Sequence, residues 1–255
     1  PEMSEEFVER AREAEPLAVI TEHTNMTNAE ISSEPEVLEK ISQFVRQTEG
    51  LVLADFARAD VDRLRSFYTA AKRSGRLLAI TLKQAYLMKK LSWDPHLQIP
   101  KLKDENVLVF QKAKKKYANW EMEVLESGNV ADSSSVADMQ SKVVLVASFY
   151  DLESLIDIEP TFGSCYILSA SEPFNEEMEV DFDRLTNWLE HYGLPQYHAH
   201  VSGHIMPLQL RRVLQTMSPR KVFPIHGTHP ELFSKFMRKL KGEILVVEAG
   251  KEYTL

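Results

Sequence analysis

Short apolar runs alternate with stretches of helical periodicity along nearly the whole chain, and this alternation most limits what the chain can fold into. Leu17-Ala18-Val19-Ile20 reads as a buried strand. Ser33 and Glu36 form a capping box with Pro35 in the first turn, and Val37, Leu38, Ile41, Phe44 and Val45 follow at helical spacing until Gly50. Leu51-Val52-Leu53-Ala54 is the next strand. Val61, Leu64, Phe67, Tyr68 and Ala71 line a helix closed by Gly75, and Leu77-Leu78-Ala79-Ile80 is a third strand. Further strands are predicted over 107–110, 143–146, 165–168, 197–201, 222–225 and 244–247, with helices over 182–189, 208–217 and 230–240. Apolar strands alternating with helices predict an α/β fold, a parallel sheet carrying helices on both faces.

The chain has 255 residues, enough for one large α/β domain or two modest ones. With 44% hydrophobic residues it can bury a sizeable core. Its formal net charge of -8 argues against a charge-driven coat on nucleic acid, but leaves room for an enzyme with a local basic channel. The single cysteine, Cys165, excludes an internal disulfide and favours a reducing, cytoplasmic setting. No apolar run approaches the roughly 18 residues a membrane span needs. The acidic start is not a signal peptide, and a first residue of proline reads as a processed or truncated chain. The run Lys112-Ala113-Lys114-Lys115-Lys116 reads as a solvated helix face or as a contact to a phosphate backbone.

Histidine placement carries the chemical information. His198, His200 and His204 cluster, and His226 follows the predicted strand 222–225. Both runs lie at or just beyond the carboxyl end of a strand, where open α/β sheets bind ligands. Ser202 and Gly203 make a turn whose N–H groups and hydroxyl suit an anion such as phosphate, with His204 facing it. Thr228 and Glu231 form a second capping box, so His226 precedes a helix N-terminus. Alternation places His198 and His200 on one strand face, and a zinc site from His198, His200 and His204 is the weaker alternative. Glu22 reads equally as an orienting carboxylate or as an exposed turn acid. Ser169, Ser171 and Glu172 read as a simple turn, and His23, His96 and His191 as surface residues.

Four stretches resemble the β-CASP branch of the metallo-β-lactamase superfamily, in particular ribonuclease J-like enzymes of archaeal type. Val19-Ile20-Thr21-Glu22-His23-Thr24-Asn25 resembles motif A, His200-Val201-Ser202-Gly203-His204 motif B, and Pro224-Ile225-His226-Gly227-Thr228-His229 motif C. Leu168-Ser169-Ala170-Ser171-Glu172-Pro173 resembles the serine turn that helps those nucleases bind RNA phosphate. The resemblance implies a β-CASP domain over 28–193 and remnants of an αββα sandwich over 1–27 and 194–255, which would expose apolar surface without a missing N-terminal half. It implies His226 as a zinc ligand and His204 as the group that stabilises or protonates at the scissile phosphate. Glu22 would orient His204 or His226, and His200, Ser202, Gly203, Ser169 and Ser171 would hold RNA phosphate. Arg63 and Arg76 receive no role.

The superfamily's H-x-H-x-D-H motif belongs before motif A, and this sequence has none. In the complete enzyme two zinc ions would activate water for in-line attack on a phosphodiester; one histidine cannot hold a catalytic zinc, so this chain alone is expected to be inactive. Three readings follow: part of a ribonuclease, 5′ exonucleolytic with an additional endonuclease mode and a homodimeric state as the resemblance implies; a non-catalytic module gripping RNA or a protein; or a nucleotide- or phosphate-binding α/β protein whose motif match is accidental.

Overall fold

A computed structural model describes residues 2–27, 33–170, 176–201 and 203–254. The elements run α1 (Glu2–Glu13), β1 (Ala18–Glu22), α2 (Glu34–Gln47), β2 (Val52–Asp55), α3 (Val61–Arg73), β3 (Leu77–Thr81), α4 (Leu82–Leu91), β4 (Val107–Phe110), α5 (Asn119–Leu125) and β5 (Val130–Ala131). They continue with α6 (Ser133–Asp138), β6 (Val143–Val146), α7 (Leu155–Ile158), β7 (Cys165–Leu168), α8 (Glu176–Tyr192), β8 (Gln196–His198), α9 (Pro207–Met217), β9 (Lys221–Ile225), α10 (Pro230–Phe236) and β10 (Glu243–Ile244). The chain divides into two compact units, Ser33–His200 and a smaller one made from Pro1–Ser32 with Val201–Leu255.

The larger unit is a seven-stranded, all-parallel sheet in the order β5-β4-β3-β6-β2-β7-β8. Its central strands are buried on both faces, as apolar parallel strands flanked by helices must be. Leu51, Leu53, Leu145, Tyr166, Leu185 and Leu189 belong to one continuous core. Helix α2 starts where expected, with the Ser33 hydroxyl accepting from Glu36 N, but it ends at Gln47. Its stop is Thr48, whose hydroxyl donates to Phe44 O at 2.8 Å, and not Gly50. Gly50 serves a different need: a Cβ there would meet Ser164 Oγ at 2.4 Å. The basic run 112–116 lies in the connection between β4 and α5, so it is no helix face. Strand β8 pairs in parallel with β7, so residues 196–198 belong to this sheet, beyond the expected limit at 193.

The smaller unit pairs the two ends of the chain. Strands β1 and β9 run parallel from Ala18↔Lys221 to Glu22↔Ile225, and β10 adds to the far side of β9. Val19, Leu210, Leu214, Val222, Phe233 and Met237 fill its core. The last strand, expected over 244–247, is formed only at Glu243–Ile244. On β1 the side chains alternate, so Val19 faces this core while Ile20 turns away and stays 68% exposed. Phe7 and Leu208 are also exposed. No helix among the described residues is long and apolar enough to cross a membrane.

One buried acid gives the larger unit a pH signature. Asp55 ends β2 and accepts a 2.5 Å hydrogen bond from the Tyr166 hydroxyl. Burial pushes its carboxyl up to about 6, against the Tyr166 hydrogen bond and with help from Asp151. The same burial raises the Tyr166 phenol. The folded chain therefore holds the Asp55 proton more tightly than the unfolded one. Stability from this group falls as pH rises between about 4 and 6, and the deficit of about 2–3 kcal/mol at most persists above. Asp55→Asn should flatten the pH dependence of the unfolding free energy in that window. A variant with the parent's slope in urea titrations would contradict it.

Candidate functional site

The register of β1 on β9 brings two strand ends to one edge of the smaller unit: Glu22 lies opposite Ile225, and the residues that follow, His23 and His226, leave the sheet together. The turn after β1 then ties three segments. Glu22 accepts from Thr24 N at 2.7 Å through Oε2 and from Ile205 N at 2.9 Å through Oε1. Thr24 Oγ1 donates to His226 O at 2.9 Å, and Asn25 Nδ2 donates to His204 O at 2.8 Å. His204 Nδ1 stands 3.5 Å from Glu22 Oε2, and the His204 and His226 rings are 5.5 Å apart, both open to solvent. His226 sits at φ 50, a left-handed conformation that β-branched residues resist and that signals local constraint.

His23 is the principal correction in this unit. Expected at the surface, it is 4% exposed. Its Nδ1 pairs with Ile225 O at 2.9 Å, its ring meets Phe233 edge-on, and Nε2 finds no partner among the described residues. Gly227 makes room for it, since a Cβ there would stand 2.6–2.8 Å from the His23 ring. The expected Thr228–Glu231 capping box does not form: His229 is the N-cap of α10, without a side-chain cap hydrogen bond. Gly203 is exposed and a Cβ there would meet open space, so close packing does not require glycine at 203.

The larger unit has its own cluster at the carboxyl ends of β7 and β8. Ser169 is 1% exposed, and its hydroxyl donates to Ala199 O. That corrects its expected part: a buried hydroxyl already spent on a carbonyl positions the segment 199–200 and is not offered to a ligand. His198 Nε2 lies 3.2 Å from Ala170 O, with its ring 6.3 Å from that of His200. His200 is half-buried. Burial first, then the Arg63 cation and His198, hold its imidazole below the usual range, so it is neutral at pH 7. Its Nδ1 is buried without a partner among the described residues.

Arg63 is the residue sequence reasoning left without a role. It is 1% exposed, the largest fully buried side chain among the described residues. Nη2 donates to Glu34 Oε1 at 3.0 Å, while Nε and Nη1 are buried with no hydrogen-bond partner among them. A buried guanidinium with idle donors, close enough to depress His200, is a fixed positive charge beside that imidazole. The Asp60 N-cap of α3, three residues before Arg63, was the available signal. Arg76, by contrast, is structural: it donates to Gly50 O and to Thr48 O. Ser171 and Ser202 lie outside the described residues.

The residues present do not fit a catalytic zinc. Among the described residues no group of three or more His, Cys, Asp or Glu could hold a metal ion. Both oxygens of Glu22 already accept backbone N–H groups.

No family model matches the chain. It is 23% identical over 223 residues to Ribonuclease J 2 of Streptococcus pyogenes, covering 85% of this chain and 37% of that protein. It is 25% identical over 244 residues to Ribonuclease J of Thermus thermophilus, covering 90% of this chain and 40% of that one. The chain thus spans about two-fifths of the length of these curated relatives. A crystal structure of a protein of unknown function from Enterococcus faecalis has the same fold, with a TM-score of 0.69 at 14% identity over 98% of this chain and 54% of that one. The two sequence similarities support a remote relationship to ribonuclease J proteins over most of this chain.

The packing of Gly227 on His23 is open to test. Gly227→Ala should accelerate amide exchange in β1 and β9 while leaving β2, β6 and β7 protected, through overpacking of about 1–3 kcal/mol. Unchanged protection of β1 and β9 would contradict it.

Proposed function

We propose that this chain is the β-CASP portion, with part of the metallo-β-lactamase portion, of a zinc-dependent RNA-cutting enzyme of the ribonuclease J type. The observation that carries the reading is the junction of the three motif-bearing segments at Glu22, His204 and His226. The similarity to two ribonuclease J proteins over most of the chain supports it independently.

Glu22 is then a positioning residue. Its carboxylate fixes the backbone at Ile205 and sits beside His204 Nδ1, orienting an imidazole that would meet a phosphate oxygen or a departing alkoxide. His226 presents its imidazole at the same edge, as a ligand would. In the larger unit the half-buried His200 offers a neutral imidazole for RNA phosphate, on a frame set by Ser169, with the buried Arg63 cation acting on that imidazole from within. Exposed Ile20, Phe7 and Leu208 fit an apolar surface completed by a further N-terminal metallo-β-lactamase segment. The direction of cutting on this reading is 5′ to 3′, with an endonucleolytic mode possible, in the cytoplasm and in a homodimer. A non-catalytic RNA- or protein-binding module is the second reading. It is favoured by the absence, among the described residues, of a three-ligand metal group.

Fluorescence anisotropy with a single-stranded RNA tests the RNA reading. The chain should bind RNA at low salt. His204→Ala and His200→Ala should each weaken binding by about 5-fold or more, in line with loss of a hydrogen-bonded phosphate contact. The purified chain should hold less than one zinc per molecule by elemental analysis. RNA binding indifferent to both substitutions would contradict the RNA reading, and one or two tightly held zinc ions would contradict the account of the metal.

A further inference from the structure

In a parallel sheet, ligands bind outside the carboxyl ends of the strands where the connections change direction. In the larger unit that point lies between β3 and β6. From β3 the chain proceeds outward to β4 and β5, then returns to β6 beside β2 and departs the other way to β7. A cavity of about 360 Å³ opens there. It is lined by residues that follow β2 (Arg58), β3 (Thr81, Lys83), β4 (Lys112, Lys114) and β6 (Tyr150). The volume is in the range of small-molecule sites, at its lower end.

Its chemistry is that of an anion joined to a flat apolar group. Lys112 and Lys114 are committed, Lys112 to Glu153 at 2.7 Å and Lys114 to Glu121. Lys83 and Arg58 are exposed and form no ion pair among the described residues. Arg58 reaches the Ser148 hydroxyl at 3.5 Å and lies close enough to Asp55 to act on its carboxyl. Thr81, Leu82 and Lys83 are the N-cap and first residues of the ten-residue α4, so the positive end of that helix faces the cavity. Tyr150, also in the lining, is 68% exposed, and its ring leans edge-on against Phe149. Asp151, the next residue, is occupied by the Ser148 N–H and hydroxyl.

We propose that this switch-point crevice binds a nucleotide, its phosphate between Lys83 and Arg58 at the start of α4 and its base stacked on Tyr150. The occupant is a free nucleotide or one unit of an RNA strand; the second source rests on the functional reading above. Along the sheet the crevice lies on the same carboxyl edge as Ser169 and His198, separated from them by β2. A strand held at that histidine cluster would therefore meet a second foothold of phosphate contact and base stacking, the combination by which proteins grip single strands.

Adenosine monophosphate and a labelled 15-nucleotide single-stranded RNA serve as probes, titrated into the full chain by calorimetry and anisotropy. Tyr150→Ala should weaken whichever probe occupies the site by about 5-fold or more, and Tyr150→Phe should leave it within about 2-fold, because stacking needs the ring and not the hydroxyl. Lys83→Glu should weaken it by about 10-fold and lower the salt dependence by about one phosphate contact. These exposed positions leave the core intact. Effects on the monophosphate support a free nucleotide, and effects on RNA alone support a strand unit. RNA binding lost on His204→Ala but unmoved by Tyr150→Ala and Lys83→Glu, with no monophosphate binding, would overturn this site and leave the functional reading standing. Monophosphate binding that depends on Tyr150 in a chain indifferent to RNA would support the site and sink that reading.

Discussion

The smaller unit depends on one carboxylate. Glu22 takes a backbone N–H on each oxygen, from its own turn at Thr24 and from Ile205, 183 residues away. A carboxylate satisfied in this way is rigid, and hydrogen bonds to an ionised group are roughly twice as strong as neutral ones. Asn25 and Thr24 extend the same joint to His204 O and His226 O. The two ends of the chain are thereby locked at the edge where both imidazoles emerge. Strand pairing between β1 and β9 supplies the alignment, and the turn supplies the fixing.

The larger unit solves a different problem. Seven parallel strands need long crossovers, and every crossover leaves its loop at the carboxyl edge. That edge gathers Asp55, Ser148, Ser169 and His198 from segments far apart in sequence. Burial there is chemically expensive, as the raised Asp55 carboxyl and the half-satisfied Arg63 guanidinium show. Groups held at such a cost near a sheet edge are where a functional site is expected, and polar atoms left idle in the fold are available to a ligand.

Much of this was legible in the sequence because strand burial writes itself as continuous apolar runs. Val52, Val144 and Ile167 advertise central strands, and Ser33 with Glu36 marks a helix start that the backbone reproduces. The meeting of Glu22 with His204 and His226 followed from motif order, not from periodicity. What failed to show was whatever depends on distant contacts. His23 looked like a surface residue because the Gly227 gap and the Phe233 ring that bury it come from the other end of the chain. Thr228 and Glu231 had the right spacing for a capping box, but the left-handed turn at His226 shifts the helix start to Pro230. Arg63 received no role from the sequence because its burial and its pairing with Glu34 are set by tertiary packing. Residues 196–198 read as the start of the smaller unit because sequence proximity to His204 outweighed their pairing with β7.

The central claim is that sequence-distant imidazoles at positions 204 and 226 form one phosphate-handling edge. Nitrogen-15 spectra of labelled histidine rings, recorded while single-stranded RNA is added, test it directly. The account predicts that the His204 and His226 resonances move together, with midpoints at the same RNA concentration, and that buried His23 stays still. Saturation of the chain with RNA while both rings keep their free positions would contradict it.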